Sequence, residues 1–117
     1  MPVLQGDALP VTTFAPPAQA SVDAYADVGT YLDAYTAFLV SFTIKENNVN
    51  AIKWQVIGAN DSAFVAPVTV QAEATVAKNA SSFYGDSAPV YRYYKVQVKA
   101  NVGSSQGNVT VIGIAKG

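Results

Sequence analysis

The sequence predicts an all-β chain, an antiparallel β-sandwich or jelly roll with an extended Pro-rich N-terminal arm. Three observations carry that prediction. Apolar and polar residues alternate along several segments, as expected of strands that turn one face to a core and the other outward. Clusters such as Glu46-Asn47-Asn48 and Gly58-Ala59-Asn60-Asp61 punctuate those segments with residues suited to turns. No segment sustains a convincing helical period, and strands recurring every roughly 10 to 20 residues favour a sandwich over βαβ units.

Residues 1–20 hold Pro2, Pro10, Pro16 and Pro17 with little periodicity between them. Proline fixes φ and steers its predecessor away from helix, so this stretch is expected to be an extended arm. Residues 21–117 are expected to form one β-sandwich domain. Its first strand spans Val22, Ala24, Ala26 and Val28 and is expected to end at Gly29. A helix through Val22, Tyr25, Val28, Leu32 and Tyr35 competes, but Gly29 in its middle costs about 1 kcal/mol relative to alanine. Next, Phe38, Val40, Phe42 and Ile44 line one face of a strand over residues 36–45, and Glu46-Asn47-Asn48 turns the chain. Ile52, Trp54 and Val56 alternate with Lys53 and Gln55, which places Trp54 in the core. Val68, Val70, Ala72, Ala74 and Val76 form a further alternating set. Residues 90–100 and 108–114, joined by a Gly-Ser-Ser-Gln-Gly connection, read as a β-hairpin. That makes about six main strands.

Composition narrows the function classes. The 117 residues contain neither cysteine nor histidine, which removes thiolate metal sites, disulfides and the usual general base near neutral pH. The eight acidic residues are dispersed and show no calcium-loop spacing. No catalytic residue, metal ligand or cofactor is expected, and the chain reads as non-enzymatic. With a net charge of −1 and 13% charged residues, attraction to nucleic acid or an anionic membrane is not favoured. No positive cluster precedes an apolar stretch and no long apolar run occurs, so neither a secretion signal nor a membrane span is expected. At 50% hydrophobic residues, so few charges mean many exposed uncharged groups or a surface hidden in an assembly.

The most distinctive polar stripe is Tyr91, Tyr93, Lys95, Gln97 and Lys99, opposite Tyr94, Val96, Val98 and Ala100. Aromatics interleaved with cations on a flat strand suit stacking on sugars or bases. The same residues equally suit an ordinary solvated face or a protein interface.

Ile52-Lys53-Trp54-Gln55-Val56-Ile57-Gly58-Ala59-Asn60-Asp61, Tyr91-Arg92-Tyr93-Tyr94-Lys95-Val96-Gln97-Val98-Lys99 and Val109-Thr110-Val111-Ile112-Gly113-Ile114-Ala115-Lys116 resemble the small β-sandwich virion structural proteins of tailed bacteriophages that decorate or cement capsids. The Trp54-to-Asp61 segment also resembles discoidin-like carbohydrate-binding sandwiches. The first resemblance implies a capsid decoration protein at the virion surface, made in the host cytoplasm, that forms a homo-oligomer, expected to be a trimer. Its partner would be the major capsid protein. Tail or connector placement and a glycan-binding module are the alternatives. The interface candidates are Pro10, Phe14, Pro16 and Pro17 of the arm, with Tyr91, Tyr93 and Lys95 of the stripe.

Overall fold

A computed structural model of the chain describes residues 7–14, 25–101 and 107–116, the first of these as main chain only. The described residues form eight strands: β1 (Asp7–Phe14), β2 (Ala26–Asp33), β3 (Leu39–Glu46), β4 (Ile52–Ala59), β5 (Val68–Val76), β6 (Ser81–Asp86), β7 (Tyr93–Ala100) and β8 (Val109–Lys116). No helix occurs among the described residues. The strands form two four-stranded sheets, A in the order β1-β8-β3-β6 and B in the order β2-β7-β4-β5.

Every pairing is antiparallel, and the pairs β1–β8, β2–β7, β3–β6 and β4–β5 nest inside one another along the chain. Rolling that long nested hairpin adds β3–β8 and β4–β7 and gives a jelly roll, one of the two expected architectures. It also corrects one expectation. β7 and β8 lie in different sheets, so these two strands do not pair with each other as a hairpin. Among the described strands, only β4 and β5 are consecutive in the same sheet.

Two strands exceed the expected six. β1 occupies residues 7–14 of the stretch expected to be an arm and pairs with β8 of the same chain. Pro10 sits in this edge strand, where the register slips between Leu9 and Thr12. A residue without an N–H fits there, because one ladder bond is missing anyway. The other added strand, β6, is short. Gly29 does not end its strand: β2 continues to Asp33 through an irregularity between Val28 and Leu32, which Gly29 accommodates at φ 70°. Residues 22–24 of that expected strand lie outside the described residues.

The core lies between the sheets. Val40, Phe42 and Ile44 of β3 and Val109, Val111 and Ala115 of β8 face Val28 and Leu32 of β2, Ile52, Trp54 and Val56 of β4, and Tyr94, Val96 and Val98 of β7. Phe38, expected to share the core face of β3, precedes the strand and is exposed. The alternation expected along β5 fails, because two register shifts against β4 break its phase. Val76 is buried at one end and Val68 exposed at the other.

Glu46 ties one end of the roll together. It ends β3 in phase with the core residues and is fully buried, where an unpaired carboxylate is very costly. Its oxygens accept the backbone N–H groups of Val49, Asn50, Asn79 and Asn108. Those donors belong to the β3–β4, β5–β6 and β7–β8 connections, each of which passes from one sheet to the other. Burial pushes the Glu46 carboxyl up, but the N–H donors outweigh it and hold it below its ordinary range. Asn48 and Asn79 take the left-handed conformation in the same turns, which asparagine tolerates better than most residues.

Candidate interaction surfaces

The outer face of sheet B carries most of the expected stripe. β7 points Tyr93, Lys95, Gln97 and Lys99 outward while Tyr94, Val96, Val98 and Ala100 are buried. Pairing puts Lys53 directly opposite Lys99 and Gln55 opposite Gln97. Two cations side by side repel. Glu73 resolves that repulsion, lying 3.4 Å from Lys53 Nζ and 3.1 Å from Lys99 Nζ. The Tyr25 hydroxyl also donates to Glu73. That hydroxyl and the Lys99 ammonium, with Lys53 adding to them against a smaller opposing effect of burial, bring the Glu73 carboxyl down to about 2.

Further along, Asp27 accepts from Lys95 Nζ at 2.9 Å and from Gln97 Nε2 at 2.8 Å. Burial raises the Asp27 carboxyl, and these two donors more than reverse it. Gln97 in turn accepts from Gln55 Nε2 at 2.8 Å. Phe64, in the loop after β4, stands over the Lys95 ammonium and beside Tyr31, which meets Tyr93 edge to face. The polar face is therefore closed on itself.

The stripe also loses a member. Tyr91 lies before β7 begins and is not beside Tyr93 on the outer face. Its ring packs against the core and meets Tyr94 at a centroid distance of 6.2 Å. A Cβ on Gly58 would sit 2.9 Å from that ring, so only glycine leaves room for Tyr91 there. The pair of open stacking platforms expected from Tyr91 and Tyr93 is not formed. Of the arm candidates, Pro10 and Phe14 lie in β1, with Phe14 opposite Val109, and Pro16 and Pro17 lie outside the described residues.

Sheet A presents a different outer surface. β3 turns Leu39, Ser41, Thr43 and Lys45 outward, β8 turns Thr110, Ile112, Ile114 and Lys116, and β6 turns Ser81, Phe83 and Gly85. In register, Phe83, Thr43 and Ile112 form one row across the sheet, and Gly85, Ser41 and Ile114 form the next. Phe83 is 66% exposed, Ile112 43% and Ile114 40%. The Phe83 ring leans over Gly85, where a Cβ would come within 2.7 Å of it. Among the described side chains of this face, charge is confined to the two ends. Lys116 stands beside Leu39 at one, and Lys45 at the other donates to the Glu46 carbonyl and to Asn79 Oδ1.

These sheet A residues were not among the sequence candidates. β6 is six residues long and rich in serine and glycine, so its alternation is weak, and the hairpin reading of residues 90–116 hid β8's true neighbours. The available signal was the pair Ile112 and Ile114, in phase with each other and out of phase with Val109 and Val111.

Among the described residues, no group of three or more acidic, histidine or cysteine side chains is placed to hold a metal ion, and no helix is long and apolar enough to cross a membrane. No protein-family model and no curated protein matches the chain. Solved structures do share its fold. A crystal structure of PirA is similar with a TM-score of 0.54 at 13% identity, over 86% of this chain and 90% of that one. A chain from Bacillus endospore appendages, described as a novel family of disulfide-linked pili, is similar with a TM-score of 0.50 at 13% identity, over 96% of this chain and 90% of that one. At these identities the likeness speaks for the fold alone.

Proposed function

We propose that this chain is a non-enzymatic structural subunit that works by adhesion, and specifically a capsid decoration protein of a tailed-phage virion. It assembles with copies of itself and binds the major capsid protein at the shell surface, after synthesis in the host cytoplasm. The observation that carries the adhesive part is the outer face of sheet A, where Phe83, Ile112 and Ile114 are exposed among Ser41, Thr43 and Gly85 with no charge between the ends of β3, β6 and β8. Exposed apolar area of this kind marks an interaction site. The placement on a phage shell is supported by the resemblance of the Ile52–Asp61, Tyr91–Lys99 and Val109–Lys116 segments.

The mode of action is mass action. A protein that binds the assembled shell and not its dissociated subunits lowers the free energy of the assembly. A covalent route like that named for the endospore pili is closed to these 117 residues, which hold no cysteine. Deleting residues 1–20 would not test the arm alone, because it removes β1 and uncovers the edge of β8.

The direct test is co-sedimentation of the purified protein with empty shells assembled from the major capsid protein of the same genome. Saturable binding that raises the shell's melting temperature is the expected result. Absence of binding to those shells, with the protein folded, would remove the decoration role.

A further inference from the structure

We infer that the outer face of sheet A is the contact between copies of this chain, and that its partner is the same face of a second molecule across a two-fold axis. This deepens the adhesive reading of that face by naming its occupant. Three features favour a second copy.

The first is relief. Ser41 and Thr43 on β3 form a low strip flanked by Phe83 on β6 and by Ile112 and Ile114 on β8. A two-fold axis sets the Ile112 and Ile114 ridge of each molecule over the low strip of the other, the self-complementary arrangement an isologous contact requires.

The second is charge. A face meets its own copy only if no like charges are brought together in its middle. Sheet A meets that condition, since Lys45 and Lys116 lie at its opposite ends and Lys45 is held by the Glu46 carbonyl and Asn79. The Lys53, Lys99 and Glu73 cluster on sheet B is already closed within one chain.

The third is area. Three eight-residue strands, β1 counted by its main chain, and the six-residue β6 cover roughly 480 Å² per copy at the usual strand spacing and rise. The two copies together bury about 1,000 Å², near the lower limit for a specific protein contact. The pair is therefore expected to dissociate measurably on dilution. It also gives two copies in place of the three expected from the sequence.

The experiment is sedimentation equilibrium across a concentration series. The wild-type chain should move from its 12.3 kDa monomer mass to twice that mass as concentration rises. Phe83→Asp and Ile112→Asp should each hold it at the monomer mass with an unchanged circular dichroism spectrum, and Lys95→Ala on sheet B should leave the two-copy mass intact. Should either aspartate variant misfold, the cysteine-free background supplies a milder probe. An equimolar mixture of Thr43→Cys and Ile112→Cys chains should form a crossed intermolecular disulfide under mild oxidation, whereas Gln55→Cys on sheet B should form none. A monomer at every concentration, a three-copy mass, or a two-copy mass insensitive to Phe83 and Ile112 would overturn the inference. Binding to shells is read separately: a dimer that ignores shells keeps this contact and removes the decoration role, and a monomer that binds shells does the reverse.

Discussion

Sheet B turns Asp27, Lys53, Glu73, Lys95 and Lys99 outward and pairs each of them within the chain, whereas sheet A turns Phe83, Ile112 and Ile114 outward and leaves them exposed. The two faces belong to strands of similar length packed on one core. Their difference is therefore not something the fold requires. A charged side chain without a protein partner is best left in water, yet β7 and its neighbours spend their charges on each other. That makes sheet B a finished surface with little left to offer a ligand. On sheet A the same low charge content leaves Phe83, Ile112 and Ile114 exposed, the area proposed above as a contact. A low overall charge thus does not mean an evenly bland exterior.

Substitutions can break or sharpen this contrast. The largest loss is expected from Trp54→Ala, which empties the layer both sheets share and should cost about 3 to 5 kcal/mol in urea unfolding. Glu46→Gln comes next. It keeps the shape but replaces one charged acceptor with a donor facing backbone N–H groups, at a cost of about 2 kcal/mol. Both changes weaken the scaffold without distinguishing its faces.

Acid separates the carboxylates. Glu46 and Glu73 are both held below their ordinary range, so the folded state binds fewer of these protons than the unfolded chain. The stability they add is complete above the usual carboxylate range and is lost as pH falls, for Glu73 down toward about 2. Thermal melts between pH 6 and pH 2 should show a falling midpoint, with a shallower fall in Glu73→Gln at the acid end. A midpoint independent of pH across that range would contradict the role given to both groups.

Glu73→Ala at neutral pH leaves Lys53 and Lys99 facing each other. Because the site is partly exposed, the cost should be only about 1 kcal/mol. The smallest effect on stability belongs to Phe83→Asp, within about 0.5 kcal/mol of wild type, although it should abolish pairing of copies. A ranking in which Phe83→Asp destabilised more than Glu73→Ala would mean that the Phe83 ring supports the fold and not a contact.

How much of this was legible beforehand follows from how local each cause is. The alternation of Tyr94, Val96, Val98 and Ala100 against Lys95, Gln97 and Lys99 predicts both faces of β7, because side-chain direction in a strand depends only on neighbouring residues. Trp54 was legible as a core residue for the same reason. Tyr91 was not, since its place depends on where the strand begins and on the absence of a Cβ at Gly58. Glu46 looked like a turn residue. Its burial depends on N–H donors up to 62 positions away in sequence, which no local pattern encodes.

The sequence by itself determined an all-β chain with a period-two core, no cysteine or histidine chemistry and too few charges to cover its surface, since each of these is a property of composition or of adjacent residues. Only the tertiary structure decided that eight strands nest into a jelly roll, that residues 7–14 belong to sheet A, and that the charges gather on one face while Phe83, Ile112 and Ile114 gather on the other. Those outcomes depend on which distant strands pair and in what register, and pairing is selected by burial of the whole core rather than by any single segment.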